Sequence, residues 1–254
     1  MQEESPLQEK SPLQEESPLQ EKSPLQEKSP YDLKRSKLRE VTIFLFICLA
    51  SLAFPSILVC SEEACPISIM ALITILRNMG LSALIFLILK LRGESSSRIG
   101  WTRQDLGKHI LWGGLIFPLF YFSVGQVLDF FTSAGFSHIE DVPVSLMPAG
   151  IWEIILGGVL VLVVAFAEEI IFRGYLLARF QEITDSTWIS VFLSTMLFAL
   201  GHAYEGAAGI IAVSYIGLVF SLLFLWKRSL AMVIVLHFLT DFIPIVIAPV
   251  LDML

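Results

Sequence analysis

From residue 41 onward the chain alternates long apolar runs with short polar stretches. The runs fall near 41–60, 67–91, 110–131, 150–172, 188–204, 207–226 and 229–250. Each approaches the roughly 20 residues a helix needs to cross a bilayer at about 1.5 Å per residue. Lipid cannot satisfy stray backbone groups, so segments at this depth are helices or a closed barrel, and the chain lacks the roughly ten-residue alternation of barrel strands. The pattern predicts an all-α fold, a polytopic transmembrane helical bundle of about seven spans occupying residues 41–254.

Basic residues punctuate the runs. Lys34, Arg35, Lys37 and Arg39 precede the first; Lys90, Arg92, Arg98, Arg103 and Lys108 separate the second and third; Arg173 and Arg179 follow the fourth; Lys227 and Arg228 separate the sixth and seventh. The loops at 61–66, 132–149 and 203–206 carry neither Lys nor Arg. Under the positive-inside rule this alternation predicts a multi-pass protein of the cell membrane with a cytoplasmic N-terminus and a non-cytoplasmic C-terminus. The segment 98–109, with Trp101 among basic residues, reads as an anchoring loop at the cytoplasmic interface.

Ahead of the runs, Ser-Pro-Leu-Gln-Glu repeats with a six-residue period from Ser5 to Ser29. Proline at that spacing breaks helices, and one leucine per repeat buries too little surface to offset chain entropy. Residues 1–40 are therefore expected to be a disordered tail ending in a juxtamembrane basic cluster. The tail has no apolar stretch or cleavage site, so the first span is expected to act as the targeting signal.

Composition sharpens the class. Mean hydropathy is +0.74, and 55% of residues are apolar against 16% charged, the profile of a polytopic membrane protein whose main partner is the lipid bilayer. No nucleic-acid partner is expected, and the net charge of −7 says nothing further about partners, since five carboxylates lie in the first sixteen residues. Cys48, Cys60 and Cys65 form no C-x-x-C pair, which argues against a thiolate zinc site; Cys60 and Cys65 are spaced to close a small loop in an oxidising compartment.

The candidate chemistry lies inside the spans. Between Ile151 and Ala167 the only charge is Glu153, after which come Glu168, Glu169 and Arg173; His202, His237 and Asp241 occupy similarly apolar surroundings. An ionised group near the bilayer centre costs on the order of 3 kcal/mol, so such groups pair and mark working sites. On a helix Glu169 and Arg173 share a face while Glu168 points about 100° away, so one glutamate pairs with the arginine and the other is left to take a proton from water, helped by a histidine. Asp241, one turn after His237, is placed to orient that imidazole or to bind substrate. If the fourth helix continues to Arg179, then Glu168, His202 and His237 all fall near the bilayer midplane; if it ends at Phe172, Glu168 and His202 approach opposite faces. Other uses of these residues are a structural Glu169–Arg173 pair, histidines that bond across helices, a metal such as zinc held by His202, His237 and Glu168, or a proton relay in a transporter. There is no His-Glu-x-x-His, and no internal repeat of the kind many transporters show. His109 and His138 sit in polar connecting segments and receive no role.

The segment from Glu168 to Leu176 resembles a Glu-Glu-x-x-x-Arg motif, Phe198 to His202 resembles Phe-x-x-x-His, and His237 to Asp241 resembles His-x-x-x-Asn/Asp. In this order, on successive apolar segments, they are similar to the three signatures of the CAAX protease and bacteriocin-processing enzyme family, which includes type II CAAX prenyl endopeptidases and bacterial proteins of the Abi type. The resemblance covers roughly residues 100–245. It implies an intramembrane endopeptidase acting on a peptide or membrane-protein substrate, with its site open to the cytosol. In it Glu168 and His202 would activate water, His237 and Asp241 would stabilise the oxyanion, and Glu169 and Arg173 would hold the site in shape. Family members are described both as metalloproteases and as metal-free glutamate proteases. Position 241 is Asp where the prenyl endopeptidases carry Asn, and an ionised Asp cannot donate to an oxyanion. The alternatives to a peptidase are a non-enzymatic membrane immunity or scaffold protein of the same fold and, in another class, a proton-coupled transporter.

Overall fold

A computed structural model describes residues 29–58, 67–137 and 150–252, and every regular element among them is helical. The helices are α1 (Pro30–Leu58), α2 (Ile67–Leu91), α3 (Leu106–Ser133), α4 (Ile151–Glu169), α5 (Leu177–Thr184), α6 (Thr187–Gly201), α7 (Gly206–Lys227), α8 (Leu230–Phe242) and α9 (Ala248–Asp252). Two π-helical segments, Ile170–Leu176 and Ile243–Ile247, join α4 to α5 and α8 to α9.

Five stretches are long and apolar enough to cross a membrane: Ser68–Leu91, Leu106–Ser133, Ile151–Thr184, Ala203–Lys227 and Leu230–Leu251. These match five of the seven expected spans. The run at 188–204 yields α6, a helix of only 15 residues, about 22 Å long against a hydrocarbon core of about 30 Å. The run at 41–60 falls on α1, which is not in the qualifying set and whose last turns reach the edge of the described residues. The repeats in residues 1–28, Cys60, Cys65 and His138 all lie outside the described residues.

α1 begins earlier than the apolar run. Proline suits the first helical position and Asp32 in the first turn complements the helix dipole, so the basic cluster Lys34–Arg39 rides on the helix instead of belonging to a tail. His109 likewise falls in the first turns of α3, not in a connecting segment.

The stretch Ile151–Thr184 is one continuous 34-residue helical path. It passes Phe172 and Arg179, the condition under which the intramembrane polar groups share a depth. This path packs against α2, α6 and α8, while α3 packs on α7 and α8. Ile170, Tyr175, Leu176, Phe220, Phe224, Leu230 and Leu236 form its buried core. Close approach of α3 and α8 depends on Gly113, where a Cβ would stand 2.8 Å from the Met232 carbonyl oxygen.

At one end of the bundle a buried arginine ties three parts of the chain together. Arg179 donates from Nε to Glu40 Oε1 at 2.8 Å and pairs through Nη1 with Glu94 at 2.9 Å and Glu182 at 3.1 Å. Tyr175 donates its hydroxyl to the same Glu40 oxygen at 2.8 Å, and Arg92 and Arg98 pair with Glu40 and Glu182. The segment 98–109 is also more than an anchoring loop. Ile99 is buried, Trp101 packs edge-on against Phe166 with centroids 5.4 Å apart, and Leu230 N–H donates to the Gly100 carbonyl.

Candidate active site

Glu169 closes α4 with its side chain fully buried, and its Oε1 contacts two donors: Arg173 Nη1 at 2.7 Å and His237 Nδ1 at 2.7 Å. An oxygen that accepts from a guanidinium is an acceptor toward the imidazole as well, so Nδ1 of His237 carries a proton. The ring therefore turns Nε2 to the other side, where Asp241 Oδ2 stands at 3.3 Å and Glu168 Oε2 at 3.8 Å. Asp241 does sit beside His237, one turn on. The group that orients the ring through Nδ1 is nevertheless Glu169, from the first motif.

Glu168 differs from its neighbour in being partly exposed and in having no donor as near as those on Glu169 Oε1. Its side chain keeps some exposure, and Oε2 has no hydrogen-bond partner among the described residues, since 3.8 Å is too long for one. His237, His202 and Asp241 all act on it electrostatically. So does Arg77 of α2, a half-buried cation within the second apolar run. Sequence reasoning passed over Arg77, although a lone charge inside an apolar run is the same signal that singled out Glu168.

His202 stands just past the last turn of α6, at φ −107°, where the chain bends into a short 3-10 turn, Ala203–Glu205, before α7. Its Nδ1 lies 2.9 Å from the Phe198 carbonyl oxygen. A carbonyl only accepts, so Nδ1 carries the proton and Nε2 of the neutral ring keeps its lone pair. Ser137, at the exit of α3, supports this bend: its Oγ and carbonyl accept from the first free amides of α7, Ala207 and Ala208, at 3.2 and 2.8 Å.

Phe198 links the two histidines. Its ring centroid is 4.9 Å from that of His202 and 6.1 Å from that of His237. Its face also carries the Arg173 guanidinium at 4.2 Å, with Phe220 at 5.2 Å from the same group. Gly217 leaves the space for this, because a Cβ there would stand 3.2 Å from Phe198 and 3.6 Å from Arg173 Nη2. The motif spacing flagged Phe198 without giving it a use; nothing in the sequence pointed to Gly217 or Ser137.

Both π-helical segments begin within two residues of a candidate carboxylate. Ile170–Leu176 follows Glu169, and the Phe172 carbonyl within it accepts from Ser194 of α6 at 2.8 Å. Ile243–Ile247 follows Asp241, and Pro244, which has no N–H to give, disrupts the ordinary helical ladder there. Such widened turns re-aim side chains and are frequent at functional sites.

The proposed zinc ligands do not fit a metal. Among the described residues no three His, Cys, Asp or Glu side chains form a group able to hold one. With Nδ1 of both histidines engaged, by Glu169 and by the Phe198 carbonyl, only Nε2 of each ring is left to a ligand. The six residues singled out from the sequence otherwise share one neighbourhood: Glu168, Glu169, Arg173, His237 and Asp241 through direct approaches, and His202 through Phe198 and the electrostatic contact with Glu168.

Residues 150–243 match the family described as Type II CAAX prenyl endopeptidase Rce1-like, a stretch that contains all six residues. No curated protein and no solved structure gives a match. That segment, which carries the three motifs, supports the CAAX protease and bacteriocin-processing enzyme family as the one the chain resembles.

Proposed function

We propose that the protein is an intramembrane endopeptidase that hydrolyses a peptide bond in a peptide or membrane-protein substrate, using water activated by Glu168 and His202. The observation that carries this reading is the unequal use of two adjacent carboxylates. Glu169 is fully buried and accepts from Arg173 and His237 on Oε1, its Oε2 being without a partner among the described residues, whereas Glu168 keeps some exposure and turns an oxygen with no such donor toward the imidazole. A carboxylate free of hydrogen bonds in a low-dielectric site is suited to taking a proton.

In this mechanism Glu168 accepts one water proton while His202 Nε2 accepts a hydrogen bond from the same water and aims it. The water oxygen bonds to the scissile carbonyl carbon, and the carbonyl π electrons move onto oxygen. His237, anchored at Nδ1 by Glu169, donates from Nε2 to that oxyanion, and Asp241 balances the imidazolium charge. Collapse of the tetrahedral intermediate breaks the C–N bond, and Glu168 returns its proton to the departing amine. Arg173 is a positioning residue that fixes Glu169 and through it His237. The basic end of the bundle, near α5, supports a cytoplasmic N-terminus in the cell membrane.

The test is cleavage of a defined peptide pool by purified full-length protein in detergent. Glu168→Gln and His237→Ala should each lower the rate by at least about 10²-fold with the thermal transition retained. Equal cleavage by wild type and folded Glu168→Gln would overturn the mechanism. Absence of cleavage by wild type would favour the immunity or scaffold alternative.

A further inference from the structure

A groove of about 450 Å³ runs between α1 and α2, away from the candidate active site. Its walls step four residues at a time: Arg39, Ile43 and Ile47 on α1, and Leu84 and Ile88 on α2 followed by Arg92 just past its end. Steps of four keep side chains on one helical face, and the two series run antiparallel. One end of the groove therefore carries Arg39 and Arg92 with Glu40 beside them, and the series from Arg39 to Ile47 spans about 12 Å at about 1.5 Å per residue, its apolar part about half of that.

The charged end coincides with the limit of the apolar surface. On α1 the charged residues stop at Glu40 and the apolar run begins at Val41; on α2 the apolar run ends at Lys90 and Arg92. Arg39 and Arg92 thus lie where a bilayer changes from acyl chain to headgroup. Arg92 is paired with Glu40, which is itself engaged by Arg179 and Tyr175. Arg39 has no ion-pair partner among the described residues. Ile43 is 61% and Ile47 38% exposed, so the trough is open to the side. With Glu40 taken up by Arg92, Arg179 and Tyr175, the unpaired Arg39 above an open apolar trough at headgroup level matches a molecule with an anionic head and a hydrocarbon tail.

We propose that this groove binds one anionic membrane phospholipid, its phosphate on Arg39 and the edge of Arg92 and an acyl chain along Ile43, Ile47, Leu84 and Ile88. Binding does not depend on the peptidase reading, because none of these residues belongs to that site.

The test uses full-length protein in detergent micelles titrated with dioleoyl phosphatidylglycerol, dioleoyl phosphatidylcholine or glycerol 3-phosphate, with bound lipid read by native mass spectrometry. Phosphatidylglycerol should be retained at one per chain and phosphatidylcholine should not. Glycerol 3-phosphate, which lacks the tail, should not compete. Arg39→Gln should weaken retention about tenfold, the loss of one charge-assisted contact, and Ile47→Trp should fill the trough and lower it as well. Arg103→Gln, outside the groove, should change nothing. Equal retention of the two lipids, an unaffected Arg39→Gln, or an equal loss in Arg103→Gln would overturn the assignment and leave only a general attraction of basic residues to anionic lipid.

Discussion

Replacing the two members of the buried Glu169–Arg173 pair should have unequal effects. In Glu169→Met, Arg173 loses its ion-pair partner and keeps only the ring faces of Phe198 and Phe220, while Nε and Nη2 already have no hydrogen-bond partner among the described residues. His237 Nδ1–H loses its acceptor at the same time. Breaking a buried pair so as to strand a charge costs about 3–5 kcal/mol, about 6–20 °C in Tm for a chain of this size. In Arg173→Met, Glu169 still holds the His237 donor at 2.7 Å, so the cost should be about half as large. Glu169→Met/Arg173→Met removes both charges from a site lined by Phe198 and Phe220, and should cost less than the sum of the single changes by about 1–3 kcal/mol. The assay is thermal unfolding of the four proteins in one detergent, followed by tryptophan fluorescence. An Arg173→Met protein as unstable as Glu169→Met, or strictly additive effects, would refute the asymmetry.

Three further outcomes are expected. Glu168→Gln should leave Tm within about 2 °C of wild type, because the carboxylate oxygen it alters has no hydrogen bond to lose; a large fall in Tm would make Glu168 structural. Gly113→Val should destabilise the bundle by about 1–3 kcal/mol, since its Cβ would meet the Met232 carbonyl oxygen, and an unchanged transition would mean that α3 and α8 do not pack this closely. Chelators should leave cleavage unchanged in rate, because the candidate donors do not form a metal-holding group; inhibition reversed by added zinc would reverse that reading.

Much of the site was readable because burying charge in lipid is costly enough to be visible as a break in hydropathy. Glu168, Glu169, Arg173, His202, His237 and Asp241 each interrupt an apolar run, and the four-residue steps from Glu169 to Arg173 and from His237 to Asp241 give the contacts expected of a helix. The link between Glu169 and His237 was not readable, since the two are 68 residues apart in sequence. The π-helical turns leave no periodicity of their own, and Pro244 hints at only one of them. The Arg179 cluster was missed for the same reason as the Glu169–His237 link: Glu40 and Glu94 look like ordinary boundary charges until the helices bring them together. The count of seven spans is not matched at α6, whose apolar run includes the bend at His202 and leaves a helix of 15 residues.

The central claim is that Glu168 is the base of a peptide hydrolase. Its most direct measurement is cleavage of a pooled peptide and membrane-protein library by purified wild type, Glu168→Gln and His202→Ala, matched for thermal stability, with products identified by mass spectrometry. New termini formed by wild type and lost in both variants are the predicted result. The same products from all three proteins, or none from any, would contradict it.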